Sequence, residues 1–332
     1  MIRVVWLLVA TMLVPMGFLV AGDLRDYRDA EQTVSTVTTV QGVQALIHEL
    51  QKERGLTVGL LGGDSRFRGQ LAGQRALTDQ ALVALRRQLD QGMRGGSTVR
   101  SAMAPLGNLA IERSAVDRGT TDRSGALRYY TDSIASLGSL DISTGSTSDP
   151  ALQRGLEALQ ALGDAKEFTG RERAVLSGVF AARRIDQADY LILLDDLAGK
   201  KATLGMFAKT ATAAEQARLA AVQASSAATQ AAGYENIAVA SGGQTLSQQV
   251  DPVAWFTTMT TYIDSLRQVQ IGIGADVDAR AAALRGAAGR RLAGLALLAV
   301  AVVLFEVWLA VRALRSVVGP LARLAGDAQD LA

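Results

Sequence analysis

The sequence predicts an all-α protein, and three observations carry that reading. The chain is 49% hydrophobic yet only 5% aromatic, with five prolines in 332 residues, and it is rich in Ala, Leu and Gln rather than in the β-branched alternation that sheets need. Apolar residues recur at spacings of three and four through long segments without a helix breaker. Two apolar runs, one near each end, are each long enough for a membrane-crossing helix of ~20 residues.

The first run, Val4 to Gly22, holds no charge; Trp6 suits an interfacial position and Pro15 a kink. A cleaved signal peptide is the rival reading, since Leu19-Val20-Ala21-Gly22 is loosely small-x-small. The length of the run and the existence of a second one favour a retained anchor, residues 1–22. Beyond it, Val43, Leu46, Ile47, Leu50, Thr57 and Leu61 form one helical stripe, and nothing between Asp23 and Gly62 breaks the helix. Gly62-Gly63-Asp64-Ser65 is a turn. A second amphipathic stretch over 78–91 carries Leu82, Leu85 and Leu89 and closes at Gly95-Gly96-Ser97; further helices are expected over 99–117 and 124–140.

Residues 141–149 are small and polar and read as a linker between two helical bundles, 23–140 and 150–289. Asp149 then caps a helix with Pro150 at its first position, and the same pair recurs at Asp251-Pro252. From Pro252 no strong breaker intervenes before Pro320, which predicts one helix of about 60 residues and ~90 Å running through the second apolar run, Leu292 to Val311, in a transmembrane segment 290–314. Arg290, Arg291, Arg312 and Arg315 flank that run, so its own charges do not orient it. Arg3 and the helix beyond Arg315 favour both termini in the cytoplasm and the sensing region outside it. Glu306, near the inner end, is expected to reach the interface; pairing in a dimer is the alternative.

Composition also excludes functions. Without cysteine there is no disulfide, thiolate metal site or cysteine nucleophile, and the single histidine, His48, builds no metal centre. No metal or cofactor is therefore expected. A net charge of +2 gives no reason to invoke a nucleic-acid partner. The chain shows no ATP-binding glycine box and no cytoplasmic histidine, so it is not expected to catalyse phosphotransfer itself. His48 suits helix packing or the surface better than a ligand role.

An internal echo points to the candidate site. Glu53, Arg54 and Gly59 reappear 119 residues later as Glu172, Arg173 and Gly178. Arg54 falls on the apolar stripe of its helix. Arg173 falls on the series Leu152, Leu159, Leu162, Lys166, Thr169, Arg173, Leu176 and Phe180. An arginine carried inward needs a partner, because an unpaired buried charge is costly. Guanidinium forks match planar oxyanions, so Arg54 and Arg173 are candidates to clamp a small anion between bundles. The alternative is internal: Arg54 with Glu172 and Arg173 with Glu53 would satisfy all four charges. Gly59 and Gly178 would permit close helix approach in either case.

The run His48 to Gly55, with Gln74-Arg75 and Thr78-Asp79, resembles the first half of the nitrate- and nitrite-sensing domain family. Tyr129-Tyr130, Lys166-Glu167, Gly170, Glu172-Arg173-Ala174, Trp255-Phe256 and Ile263-Asp264-Ser265-Leu266 resemble its second half, over about residues 40–270 in all. The resemblance implies two four-helix bundles and a nitrate or nitrite ligand, with the family's anion-contacting arginines matching Arg54 and Arg173. Gly55 against Ala174 makes the halves unequal. Pro320-Leu321-Ala322-Arg323-Leu324, Ala328 and Leu331 are similar to the first helix of a HAMP linker, residues 315–332, cut off before the output. The whole is most similar to an actinobacterial sensor histidine kinase, a homodimer in the membrane acting on a response regulator through a kinase domain absent from this chain. A chemoreceptor, or a dimerisation or protein-binding module that takes no ligand, are the alternatives.

Overall fold

The computed structural model describes residues 2–91, 96–140 and 149–329; the side chains of 1–16, 18, 26, 29–30, 32–33, 36, 310 and 313–329 lie outside that description. The described residues form helices and turns with no strand. Helix α1 (Ile2–Leu61) is followed by α2 (Phe67–Asp90), α3 (Gly96–Ala102), a 3-10 turn (Ala104–Asn108), α4 (Leu109–Arg118) and α5 (Arg123–Gly138). The second half comprises α6 (Pro150–Ala182), α7 (Gln187–Thr210), α8 (Ala213–Gln223), α9 (Ser226–Ala240) and α10 (Pro252–Gln329).

The long first helix expected from the absence of breakers is present, and Gly63, at φ 113°, turns the chain after it. The helix expected over 99–117 is interrupted instead, because Pro105 sits at the head of a 3-10 turn between α3 and α4. The second stretch begins earlier than expected, at Phe67, which packs fully buried against Leu56, Leu71 and Phe256. Asp149 caps α6 as predicted, its carboxylate accepting from the amides of Ala151 and Leu152. Most of the expected linker, 141–148, lies outside the described residues. Pro320 does not end α10, whose backbone stays helical to Gln329; a proline removes one backbone donor and strains the turn before it, which a long helix can absorb.

Three helices in the stretch 183–250, which the apolar pattern leaves unassigned, are announced by their caps. Asp186 accepts from the amide of Asp189, Ser225 from that of Ala228, and Thr212 with Glu215 forms a reciprocal capping box. Arg183 ends α6 in the left-handed conformation, φ 55°.

The chain divides into Met1–Glu31 with Ala282–Ala332, and Gln32–Ala281; α1 and α10 contribute to both. In the first unit, a Cβ on Gly289 would lie 3.7 Å from the Tyr27 ring. The part of α10 reaching Leu309 includes an apolar window of mean hydropathy 2.5, none of it buried, which is long enough to cross a membrane. Phe305 stacks on Trp308, and the Arg312 guanidinium lies 5.3 Å from the Trp308 ring centre. Glu306 is half-buried. Most side chains of the expected first span lie outside the described residues.

In the second unit, α1, α2, α4 and α5 enclose a core of Leu46, Leu50, Leu85, Leu109, Tyr130 and Ile134. Helices α6, α9 and α10 meet around Trp255, which has edge contacts with Phe180 and Tyr234. Between these groups α1 and α6 run parallel. Gly163 faces Gln44, Gly170 faces Gln51 and Gly62 faces Ala181, each pair 119 residues apart. The spacing of the sequence echo is thus the register in which the two helices pack. Helix α10 runs antiparallel to both: Gly155 meets Val277, while Gly55 meets Phe256.

Candidate functional site

The α1–α6 seam carries both echoed arginines inward. All eight residues of the predicted α6 series, from Leu152 to Phe180, are buried, and so are Val43, Leu46, Ile47, Leu50 and Thr57 on α1. Arg54 and Arg173 share those faces and are completely buried, at 0% exposure each. Each guanidinium lies beside a glycine of the opposite helix. A Cβ on Gly170 would stand 3.2 Å from Arg54 Nη2, and one on Gly55 would stand 3.3 Å from Arg173 Nε. The Gly55 position is also filled by the Phe256 ring, 2.8 Å from that Cβ. Gly55 thus leaves room for the Phe256 ring as well as for the Arg173 guanidinium.

The two arginines are partnered differently. Arg54 Nη1 donates to Glu167 Oε1 at 2.7 Å and to Thr131 Oγ1 at 3.0 Å, and Nη2 donates to Glu167 Oε2 at 3.1 Å. Gln51 Nε2 holds the same carboxylate at 2.7 Å. Arg173 has no carboxylate partner among the described residues. Its Nη1 donates to Thr260 Oγ1 at 2.8 Å, and its guanidinium carbon lies 4.9 Å from the centre of the Phe256 ring. Trp255 Nε1 donates to the Arg173 backbone carbonyl at 3.0 Å, which fixes that turn of α6. Three buried guanidinium nitrogens of this pair, Arg54 Nε and Arg173 Nε and Nη2, have no hydrogen-bond partner among the described residues. Burial, and then the charge on Arg54, hold the Arg173 guanidinium down to about 9.

The echoed glutamates do not pair with these arginines across the seam, so the internal four-charge arrangement is not what the structure contains. Glu53 accepts from Arg113 Nε at 2.7 Å, Arg113 Nη2 at 2.8 Å and the Tyr130 hydroxyl at 2.7 Å. Glu172 accepts from Lys200 Nζ at 2.7 Å, and Lys200 also reaches Glu235 at 3.1 Å. Burial works against the Lys200 ammonium, but the two carboxylates push it above the usual lysine range. Each glutamate points into its own helix group because it lies one position from an arginine that points across the seam. Gly59 admits the Phe67 ring, and Gly178 admits Arg123 and Val58.

Sequence patterning alone does not find Glu167, Thr131, Thr260 or the role of Phe256. Their partners are 77 to 113 residues distant in the chain, and no local periodicity marks such a pairing. A second polar cluster lies along the same seam. Lys166 is fully buried and donates to Gln270 Oε1 at 2.8 Å; burial, then Arg267, lower it to about 7. His48 is buried beside Asp264, at 3.3 Å, and burial brings it to about 3, so it is neutral at pH 7. A cavity of about 280 Å³ is lined in part by Val58, Arg123, Arg128, Arg171, Asp189 and Thr131, the last being the residue that Arg54 bonds. No cluster of His, Cys, Asp or Glu among the described residues suits a metal.

The fold and seam define an all-helical domain with two arginines buried between its helix groups, where pockets in helical bundles form. Residues 45–278, more than half of the chain, match the family described as nitrate and nitrite sensing, and the chain belongs to that family. Among solved structures it is similar to the NasR transcription antiterminator, with a TM-score of 0.71 and 21% identity over 85% of this chain and 83% of that one. That likeness supports the fold. No curated protein matches the chain in sequence.

Proposed function

We propose that this chain is the sensing and membrane-crossing part of a signal transducer that binds nitrate or nitrite between Arg54 and Arg173. One observation carries the reading: three buried guanidinium nitrogens without a partner among the described residues, on two arginines of one seam. Leaving such donors unmatched costs about 1–3 kcal/mol each, more for a charged group, and a small planar oxyanion would satisfy them together. The Arg173 Nε–Nη2 edge offers two parallel donors and Arg54 Nε a third. The cavity that shares Thr131 with Arg54 is the route by which the anion reaches them.

In this reading α1 and α10 carry the signal. Both contribute to the seam, α10 through Phe256 and Thr260, and both hold an apolar run suited to a bilayer. The sensing region lies outside the cytoplasm and both termini within it, and the chain works as a homodimer. The output is a histidine kinase acting on a response regulator, beyond a HAMP-type linker at residues 315–332. Binding shifts the balance between two arrangements by the difference in affinity between them.

The test is calorimetry on the whole chain in micelles, titrated with sodium nitrate and sodium nitrite. Saturable heat is expected for the parent, and its loss in Arg173→Ala and Arg54→Ala. Unchanged binding in both variants, or no heat in the parent, would overturn the proposal.

A further inference from the structure

We propose that Glu167 is a charge filter, a tethered internal anion that restricts the seam to a single monovalent ligand. The inference rests on the anion site proposed above and adds the residue that sets the ligand's valence.

A count of charges leads to it. Three buried carboxylates near the arginines meet cations other than Arg54 and Arg173: Glu53 meets Arg113, Glu172 meets Lys200, which also reaches Glu235, and Asp196 meets Arg171 at 3.0 Å. Glu167 has Arg54, in a two-pronged pair of 2.7 and 3.1 Å. Arg173 is left without a carboxylate in salt-bridge range among the described residues, with a threonine hydroxyl and an aromatic face as its neighbours. Arg54, Arg173 and Glu167 together thus carry one net positive charge. In a water-excluding interior a guest must come close to neutralising what is there, because any residual charge carries the desolvation penalty. A monoanion does so. A dianion such as sulfate would leave the interior net negative and would also face Glu167.

Glu167 is well placed for that role. Its planar, two-oxygen carboxylate takes the Nη1–Nη2 edge that Arg54 would otherwise offer to a second ligand. Gln51 and Arg54 hold it from α1 while it is borne on α6. It is also the most accessible member of the group, with its side chain 22% exposed. Substitution there meets solvent on one side and does not open an internal void.

The experiment compares sodium nitrate with sodium sulfate at matched ionic strength, by calorimetry on the whole chain in micelles. It uses the parent, Glu167→Gln, which keeps the shape and removes the charge, and Glu167→Asp, which keeps the charge. The parent is expected to bind nitrate and to give no saturable heat with sulfate. Glu167→Gln should bind nitrate about 10–100-fold more tightly, as expected for removing a like charge a few ångströms away, and should acquire sulfate binding. Glu167→Asp should exclude sulfate as the parent does. Sulfate binding by the parent as tight as nitrate binding overturns the filter, as does a folded Glu167→Gln that still rejects sulfate. If Glu167→Gln does not fold, sulfate binding by Glu167→Asp overturns it and exclusion sustains it. Failure of the parent to bind nitrate instead overturns the proposed function, and the sulfate comparison still decides the filter.

Discussion

Arg173→Met is expected to stabilise the protein while abolishing its response to nitrate. Arg173 is fully buried with no carboxylate in salt-bridge range among the described residues, and its guanidinium is held well below the usual arginine range, at about 9. A depression of that size corresponds to ~4–5 kcal/mol of penalty on the charged form, as an order of magnitude. Its folded value lies below its unfolded one, so the penalty is fully present below pH 9 and is relieved only as pH rises above it. Methionine fills much of the same volume without charge. Against the relief stand the lost contact with Phe256 and the bond to Thr260, together about 2 kcal/mol. The net gain is about 2–3 kcal/mol, within the range seen when buried charges give way to apolar residues. Thermal unfolding in micelles at pH 7, followed by circular dichroism, measures it. For a region of this size each kcal/mol is worth about 2–4 °C. In the parent, nitrate at about a hundred times its Kd should add ~2.7 kcal/mol; in Arg173→Met it should add nothing. A variant that melts lower than the parent, or one still stabilised by nitrate, refutes the reasoning. A structural arginine would be missed on removal, whereas one that stores unfavourable charge for a ligand would not.

Lys166 gives the protein a distinct pH response. It titrates near 7 when folded against 10.5 ordinarily, so between those values the unfolded chain binds more protons and stability rises with pH. From pH 7.5 to 9 the gain should be about 1.5–2 kcal/mol in denaturant titrations, and Lys166→Met should flatten it; an unchanged slope would show that Lys166 is not the group responsible. Gly55→Ala places a Cβ 2.8 Å from Phe256 and 3.3 Å from Arg173 Nε. Despite alanine's better helix propensity it should cost about 1–2 kcal/mol in melts and weaken nitrate binding, whereas Ala174→Gly should leave nitrate binding intact.

Much of the fold was legible because the relevant forces are local. The α1 and α6 stripes appear mostly as spacings of three and four, and all of their residues but Leu61 are buried. Asp149-Pro150 names the start of α6 because capping is settled within four residues. Helices α7 to α9 were equally legible through Asp186, Thr212 with Glu215, and Ser225, but only to a reading that weighs caps as heavily as apolar periodicity. The passage of α10 through Pro320 ran the other way, since a single local breaker yields to the rest of a 78-residue helix.

The sequence by itself determined that the protein is helical, that it carries apolar runs near both ends, and that Arg54 and Arg173 lie on buried faces in equivalent turns. It did not determine what those arginines touch. Glu53 and Glu172 stood nearest in the chain and were the evident partners, yet each turns away to Arg113 or Lys200. A residue one position along a helix is rotated about 100° from its neighbour and faces a different element. The carboxylate that meets Arg54 comes from Glu167, 113 residues away, through the parallel packing of α1 on α6. Only that packing decided that one arginine is neutralised and the other is not, because charge balance belongs to the groups brought together in space. The unmatched charge on Arg173 is therefore a property of the tertiary structure, and it is the property on which the proposed sensing rests.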